Sequence, residues 1–318
     1  MAHGTLRDAV QLLNSGQVDE GVQVLRQTAS QGDPEALFLL ADMTWSGTKV
    51  PQDPARGRLL FEYAAALGHP QANLVTTNLL GNGVAGRRDW AAALDRLEAE
   101  ARQVAERRAT LELLQAMRLD SSGNPETVPE AKVLSQRPIA RMFEALLTPA
   151  ECAYLMRVAD PLFRPSMVYD RLGREVRDTI RTSDGAGFNW LLEDPAIHAM
   201  NRRIAAATNT NYKQGEALQV LRYSPGQEYR PHFDYLEGVE NPRPWTALIY
   251  LNDDYEGGAT RFVNTGLQVR GRTGDVLVFG NAASDGTKEP LAEHAGMPVL
   301  AGTKYLATRW IRERRIIP

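Results

Sequence analysis

Apolar and polar positions along this chain follow two different rhythms. In the first third, small and apolar residues return at fixed intervals. Gly32-Asp33-Pro34-Glu35-Ala36 reappears as Gly68-His69-Pro70-Gln71-Ala72, a shift of 36 residues. The same shift carries Gly47 onto Gly83, Asp53 onto Asp89 and Ala65 onto Ala101, and a degenerate earlier copy ends at Ala29-Ser30-Gln31-Gly32. Small residues at recurring sites let paired helices approach closely, and terminal glycines supply the positive φ of C-caps. A period of this size predicts a helix–turn–helix solenoid over residues 1–118, with one further helix over 106–118. After Asp120 the stretch SSGNPETVPEAK is rich in turn formers and poor in apolar residues. It reads as a linker, with the boundary at 119–136.

From residue 137 to 318 the rhythm changes. Thr148, with Glu151 three residues on, forms a capping-box pattern that starts a helix, and a second, amphipathic helix is expected over Pro195–Thr208. Thereafter short β-branched and aromatic runs are cut by Gly, Pro and Asn: ALQVLRYS, WTALIYLN, ATRFV, LQVRG, DVLVFG, PVLAG and KYLATRWIRE. Such spacing predicts an antiparallel sandwich or barrel. The expected fold class is α+β, an α-helical repeat domain followed by a β-rich domain.

Composition narrows the chemistry. A chain of 318 residues, 43% hydrophobic and 24% charged, fits two globular domains. The net charge of -3 offers nothing to nucleic acid or an anionic membrane. No apolar run reaches the roughly 18 residues of a membrane span, and MAHGTLRDAV lacks the form of a secretory leader. The single cysteine, Cys152, excludes a disulfide framework and a thiolate cluster and fits a cytoplasmic setting. A metal would have to be held by His, Asp or Glu.

The histidines are His3, His69, His198, His232 and His294. His69 falls at a repeat turn, and His198 in the 195–208 helix reads as a surface or satisfied core residue. His232-Phe233-Asp234 is different, because residues i and i+2 of an extended segment point the same way. Taken alone, the triplet is weak and reads sooner as a surface histidine beside an aspartate turn. A second imidazole would make a two-His, one-carboxylate site with open positions for a chelating cosubstrate and dioxygen, and His294 is the other histidine of the β region.

Two resemblances add to this. The stretch GDPEALFLLADMTWSGTKVPQDPARGRLLFEYAAALGH resembles the Sel-one-like repeats, relatives of the tetratricopeptide repeats, over about residues 5–105. That implies a possible protein partner on the helical repeats; the alternative is a helical cap with no partner. In the second part, LRYSPGQEYRPHFDY, RPWTALIYLNDDYEGGATRF, GDVLVFGN and EHAGMPVLAGTKYLATRWI stand in order. Together they resemble the prolyl 4-hydroxylase branch of the Fe(II)- and 2-oxoglutarate-dependent dioxygenases over about residues 137–318. The resemblance implies a double-stranded β-helix (jelly roll) with buttressing helices. It implies His232, Asp234 and His294 as iron ligands, Lys304, Tyr223 and Thr260 as contacts of 2-oxoglutarate, and Tyr229, Arg243 and Trp310 as substrate contacts. Arg181-Thr182-Ser183 matches a stretch near the opening, or is a plain edge strand.

The implied activity is hydroxylation of an unactivated C–H, foremost of a prolyl residue in a peptide or protein, as in procollagen-proline 4-dioxygenases. Fe(II), 2-oxoglutarate and O₂ are consumed or held, succinate and CO₂ are released, and ascorbate serves as reductant. Ala295, Met297 and Tyr305 depart from common family residues, which bears on substrate choice rather than on the ligands. Three alternatives stand beside this reading: hydroxylation of a free amino acid or other small molecule; a nucleic-acid demethylase, disfavoured by Lys304 and the negative charge; and a repeat-based scaffold with an inert jelly roll. The basic run Arg312–Arg315 reads as a solvated strand end, or as a patch that steers an acidic substrate.

Overall fold

Five of the first six helices of this protein begin at a capping side chain. The computed structural model describes residues 5–169, 175–177 and 180–316; the first four residues of the N-terminal stretch and the last two of the chain lie outside the described residues. Two compact units result, one taking in the chain up to Glu112 together with Trp190–Pro195, the other the remainder.

The helical unit contains α1 (Leu6–Asn14), α2 (Val18–Ser30), α3 (Pro34–Ser46), α4 (Pro54–Ala66), α5 (Pro70–Asn82) and α6 (Trp90–Ala101), and α7 (Ala105–Ala116) begins within it. The 36-residue shift maps α3 onto α5 and α4 onto α6, caps included. Asp33 and His69 each accept a hydrogen bond from the backbone N–H three residues on, and Asp53 and Asp89 do the same for α4 and α6. Gly47 and Gly83 end α3 and α5 in the left-handed region, at φ 77° and 71°. His69 is thus a helix cap, with its Nε2 3.0 Å from Glu35 Oε2. The degenerate first copy is the pair α1–α2. Gly57 shows why small residues recur, since a Cβ there would stand 3.0 Å from the backbone nitrogen of Trp45. Leu13, Leu25, Leu37, Leu40 and Met43 form this unit's core with alanines of α2 to α5.

The second unit is built on strands β1 (Lys132–Gln136), β2 (Ile139–Phe143), β3 (Arg164–Pro165), β4 (Met167–Tyr169), β5 (Glu175–Arg177), β6 (Asp184–Gly187), β7 (Gln219–Tyr223) and β8 (Tyr229–His232). It continues with β9 (Trp245–Tyr250), β10 (Glu256–Gly257), β11 (Thr260–Phe262), β12 (Gln268–Val269), β13 (Val276–Gly280), β14 (His294–Gly296), β15 (Val299–Ala301) and β16 (Lys304–Ile311). An eight-stranded sheet runs β1-β2-β13-β9-β16-β7-β6-β3 and a four-stranded sheet runs β12-β11-β14-β8. Every pairing in both is antiparallel. The two sheets are the walls of a double-stranded β-helix, the fold class expected. Leu248, Tyr250, Leu277, Phe279 and Leu306 of the larger sheet pack with Phe262 and Val269 of the smaller one. All seven apolar runs contain a strand. Residues 132–136, inside the stretch that reads as a linker, form β1, whose partner β2 precedes the first helix of this unit.

Two helices complete the unit, α8 (Pro149–Ala159) and α9 (Pro195–Thr208). The capping box at Thr148 and Glu151 is present, and Glu151, almost fully buried, also pairs with Arg203 of α9 at 2.7 Å. The α9 helix departs from an amphipathic surface helix: Ala196, Ile197, His198, Ala199, Met200 and Asn201 are all buried in succession. Small residues on several sides permit that, and His198 meets the ring of Tyr212 edge-on at 5.1 Å. Among the described residues no helix is long and apolar enough to cross a membrane.

Candidate active site

Between the two sheets lies a small cavity, of about 30 Å³. The period of two along a strand decides what faces it. On β16 the alternating residues Lys304, Leu306, Thr308 and Trp310 all line the cavity, and the register sets Lys304 opposite Tyr223 of β7 and Trp310 opposite Thr246 of β9. The smaller sheet contributes Thr260 from β11, His294 and Gly296 from β14, and Tyr229 and His232 from β8.

At one end of this cavity His232, Asp234 and His294 converge. One ligand atom from each lies within 4.8 Å of the others. His232 and His294 are direct cross-strand partners on β8 and β14, so a separation of 62 positions in the chain closes in a single register pair. His232 Nε2 is 3.8 Å from Asp234 Oδ1, and His294 Nε2 is 3.6 Å from Asp234 Oδ2. Each Nδ1 faces a main-chain carbonyl two residues earlier, Arg230 O at 2.8 Å and Ala292 O at 3.0 Å. A carbonyl only accepts, so each Nδ1 carries the proton and each Nε2 lone pair is turned toward Asp234. Burial, reinforced by the neighbouring His294 and opposed by Asp234, pulls His232 down to about 4. Burial alone would raise the Asp234 carboxyl. The two imidazoles, the Thr246 hydroxyl and the Trp310 indole outweigh it and hold the group below its ordinary value. Two imidazoles whose Nδ1 atoms are engaged by main-chain carbonyls and one carboxylate, with their ligand atoms already converging, fit a divalent metal such as Fe(II).

At the other end stands Lys304, 2% exposed. Its ammonium donates to the carbonyl of Gly258 at 2.6 Å. Tyr223, Tyr250 and Tyr255 surround it, with ring centroids 5.6, 5.8 and 6.0 Å away. Among the described residues no carboxylate makes an ion pair with it. Burial, with a smaller contribution from Arg270, pulls the amine down to about 7. Gly257 and Gly258 both have positive φ, and a Cβ on Gly258 would sit 3.1 Å from Lys304 Cδ, so the turn that brings the carbonyl to the lysine requires glycine. Thr260, 2% exposed, takes part through the Tyr250 hydroxyl at 3.3 Å. Burial pushes the Tyr223 and Tyr250 phenols upward, which keeps both neutral donors.

The residues expected at the substrate side separate. Tyr229 lies flat on His232, ring centroids 3.4 Å apart and planes at 14°, with the Arg181 guanidinium 5.5 Å from its ring centroid. The segment 180–182 runs along β8, through Arg230 N–H to Ile180 O and Thr182 N–H to Glu228 O. Trp310 lines the cavity. Arg243 does not line it: its guanidinium is bound at both ends by Glu216, at 2.6 and 2.7 Å, and lies 4.2 Å from the Trp310 ring centroid. The basic tail is likewise engaged, Arg312 with Glu216 and Arg314 with Glu240. Cys152 is buried, its thiol pushed up to about 12 by burial first and by Glu151 and Asp275.

Sequence reasoning missed Thr246, Asn281, Tyr250 and Tyr255. Each sits in an apolar run or a turn, with no local feature to separate it from its neighbours.

A family model for the 2OG-Fe(II) oxygenase superfamily matches residues 218–312. Prolyl 4-hydroxylase 1 of Arabidopsis thaliana is 35% identical over 203 residues, covering 58% of this chain and 72% of that protein. Probable prolyl 4-hydroxylase 10 of the same plant is 34% identical over 221 residues, covering 61% and 76%. Among solved structures, the 2OG complex of the viral collagen prolyl hydroxylase of Paramecium Bursaria Chlorella virus-1 is 26% identical, covers 54% of this chain and 95% of that one, and has a TM-score of 0.44.

Proposed function

The chain belongs to the prolyl 4-hydroxylase family of 2-oxoglutarate- and Fe(II)-dependent oxygenases, and from that premise we propose that it hydroxylates a prolyl residue of a peptide or protein. In this reading His232, Asp234 and His294 hold Fe(II), and Lys304, Tyr223 and Thr260 hold 2-oxoglutarate. The observation that carries it is Lys304: a buried ammonium with no carboxylate partner among the described residues, facing the same cavity as three converging ligand atoms. An unpaired buried charge is costly unless a ligand of opposite charge completes it. A dicarboxylate does so at one end and chelates at the other.

When bound, iron with 2-oxoglutarate and O₂ supplies the oxidant for an unactivated C–H, with release of succinate and CO₂, while ascorbate would serve outside that balance, as the reductant that keeps the iron as Fe(II). The chain's own residues do the rest. Lys304 and the Tyr223 and Thr260 hydroxyls anchor the far carboxylate. The Nδ1–carbonyl bonds of His232 and His294 fix both rings, so that their Nε2 atoms would be the ones to hold a metal. Tyr229 and Trp310 offer flat apolar faces suited to a pyrrolidine ring, and the surrounding leucines exclude water. Arg243, tied to Glu216, acts on substrate indirectly, by backing one face of the Trp310 ring. The test is an assay of peptide-dependent succinate release together with mass spectrometry for a +16 Da product, in wild type and Asp234→Ala. Succinate release that no proline-containing peptide stimulates, with metal bound, would refute the prolyl reading and favour a free amino acid or other small molecule.

A further inference from the structure

Behind Asp234 lies a polar pair that the metal ligands themselves do not explain. Thr246 Oγ1 is 2.7 Å from Asp234 Oδ2, and Asn281 Nδ2 is 2.8 Å from the same Thr246 oxygen. All three side chains are buried, with Thr246 and Asn281 no more than 1% exposed. Strand register places them together. Thr246 of β9 stands opposite Phe279 of β13, and Asn281 lies two residues beyond Phe279, on the same face. The Asn281 backbone is fixed as well, its N–H donating to Pro244 O at 2.8 Å and its carbonyl accepting from Glu289 N–H at 2.9 Å.

The direction of the chain of bonds follows from what each group can do. An ionised carboxylate only accepts, so the one hydroxyl hydrogen of Thr246 goes to Asp234. The Thr246 oxygen must then accept, and only the amide nitrogen of Asn281 can donate to it. A hydrogen bond to one carboxylate oxygen restricts the torsion of the group and occupies a lone pair on that oxygen. Partners of this kind, one step out from a metal, orient the ligand and tune its basicity.

We propose that Thr246 and Asn281 form a positioning relay that ties back one oxygen of Asp234, so that the carboxylate meets the metal through a single oxygen and a coordination position is kept open for cosubstrate or dioxygen. The proposal rests on the iron-site reading above, and the two are separated by measuring metal binding without substrate. Mn(II) is titrated into wild type, Thr246→Val, Thr246→Ser and Asn281→Ala, and the ligand-field spectrum of each Co(II) form is recorded. Thr246→Val keeps the volume and removes the hydroxyl. Its Mn(II) affinity should fall by about tenfold to a hundredfold, and its Co(II) bands should change in intensity as the second carboxylate oxygen is freed. Thr246→Ser should restore both readouts, and Asn281→Ala should show a smaller loss in the same direction. If Thr246→Val binds Mn(II) as tightly as wild type with an unaltered Co(II) spectrum, the relay is overturned. Should that variant fail to fold, unchanged affinity and spectrum in Asn281→Ala overturn it equally. Wild-type protein that binds neither metal would instead sink the iron-site reading.

Discussion

At the metal end of the cavity, each imidazole is oriented by a carbonyl only two residues before it in the chain. At the other end, the Lys304 ammonium is held by a carbonyl 46 residues away and ringed by tyrosines from β7, from β9 and from the loop after it. The metal end therefore needs little more than two short extended segments brought into register, and each imidazole's Nδ1 is already bonded within its own segment. The lysine end is made by tertiary structure alone and is left one anion short. Orientation at the first end comes from local hydrogen bonds, whereas affinity at the second comes from desolvation that only a ligand relieves.

The largest effect that would break this contrast is at the metal end. His294→Ala removes one of three ligand atoms, so Mn(II) binding and peptide-dependent succinate release should both fall to background. Retention of turnover would mean the convergence of the three residues is structural only. The next effect is at the lysine end. Lys304→Met should raise the KM for 2-oxoglutarate by about a hundredfold, the equivalent of ~3 kcal/mol for a buried charge contact, while Mn(II) binding stays near wild type. An equal loss of metal would show that the two ends are not independent.

The same variant carries an opposite expectation for stability. The folded Lys304 amine titrates near 7 against 10.5 for an ordinary lysine, so between those values the unfolded chain holds more protons and stability rises with pH. At neutral pH and below, the cost of burying the charge is present, and Lys304→Met should raise the Tm of the ligand-free protein by about a few degrees. A lowered Tm would show that the tyrosine ring contributes more to the cation than burial costs it.

On the proposed role of Lys304, cosubstrate binding should follow the charged amine. Affinity for 2-oxoglutarate should be full below about pH 7 and weaken by up to about tenfold per pH unit above it. Calorimetry on the Mn(II) form across that range would show it, and a flat profile would place the anchoring charge elsewhere. The smallest effect concerns the stacked pair. Tyr229→Phe should be close to silent, and Tyr229→Ala should lower kcat/KM for peptide by about tenfold, as expected for loss of an aromatic contact of ~1.5 kcal/mol. If Phe is as damaging as Ala, the hydroxyl rather than the ring acts.

How much was legible in advance depended on whether the cause was local. The 36-residue repeat could be read because caps are local: Asp33 and His69, or Gly47 and Gly83, act within one turn of the helix they end. The Thr148–Glu151 box acts over three residues. By contrast β1 was hidden in a polar stretch, because its five residues are pinned by β2 rather than by any hydrophobic alternation of their own. The burial of α9 was equally hidden, because a helix rich in alanine carries no sign of how many sides will be covered. Among the site residues, His232 and Asp234 are two positions apart and can be seen to share a face. The resemblance implies Arg243 as a substrate contact, and its pairing with Glu216, 27 residues earlier, shows only in the fold.

The sequence by itself therefore determined the helix ends, most strands, the residue types able to hold a metal and the single extended triplet that could present two of them. Tertiary structure decided that His294 pairs with His232, that Lys304 lies in a ring of tyrosines with no carboxylate partner among the described residues, and that Thr246 and Asn281 stand behind Asp234. The reason is one of range: backbone hydrogen bonding and side-chain alternation act over a few residues and leave marks in the chain, whereas burial and electrostatic complementarity depend on which strands become neighbours.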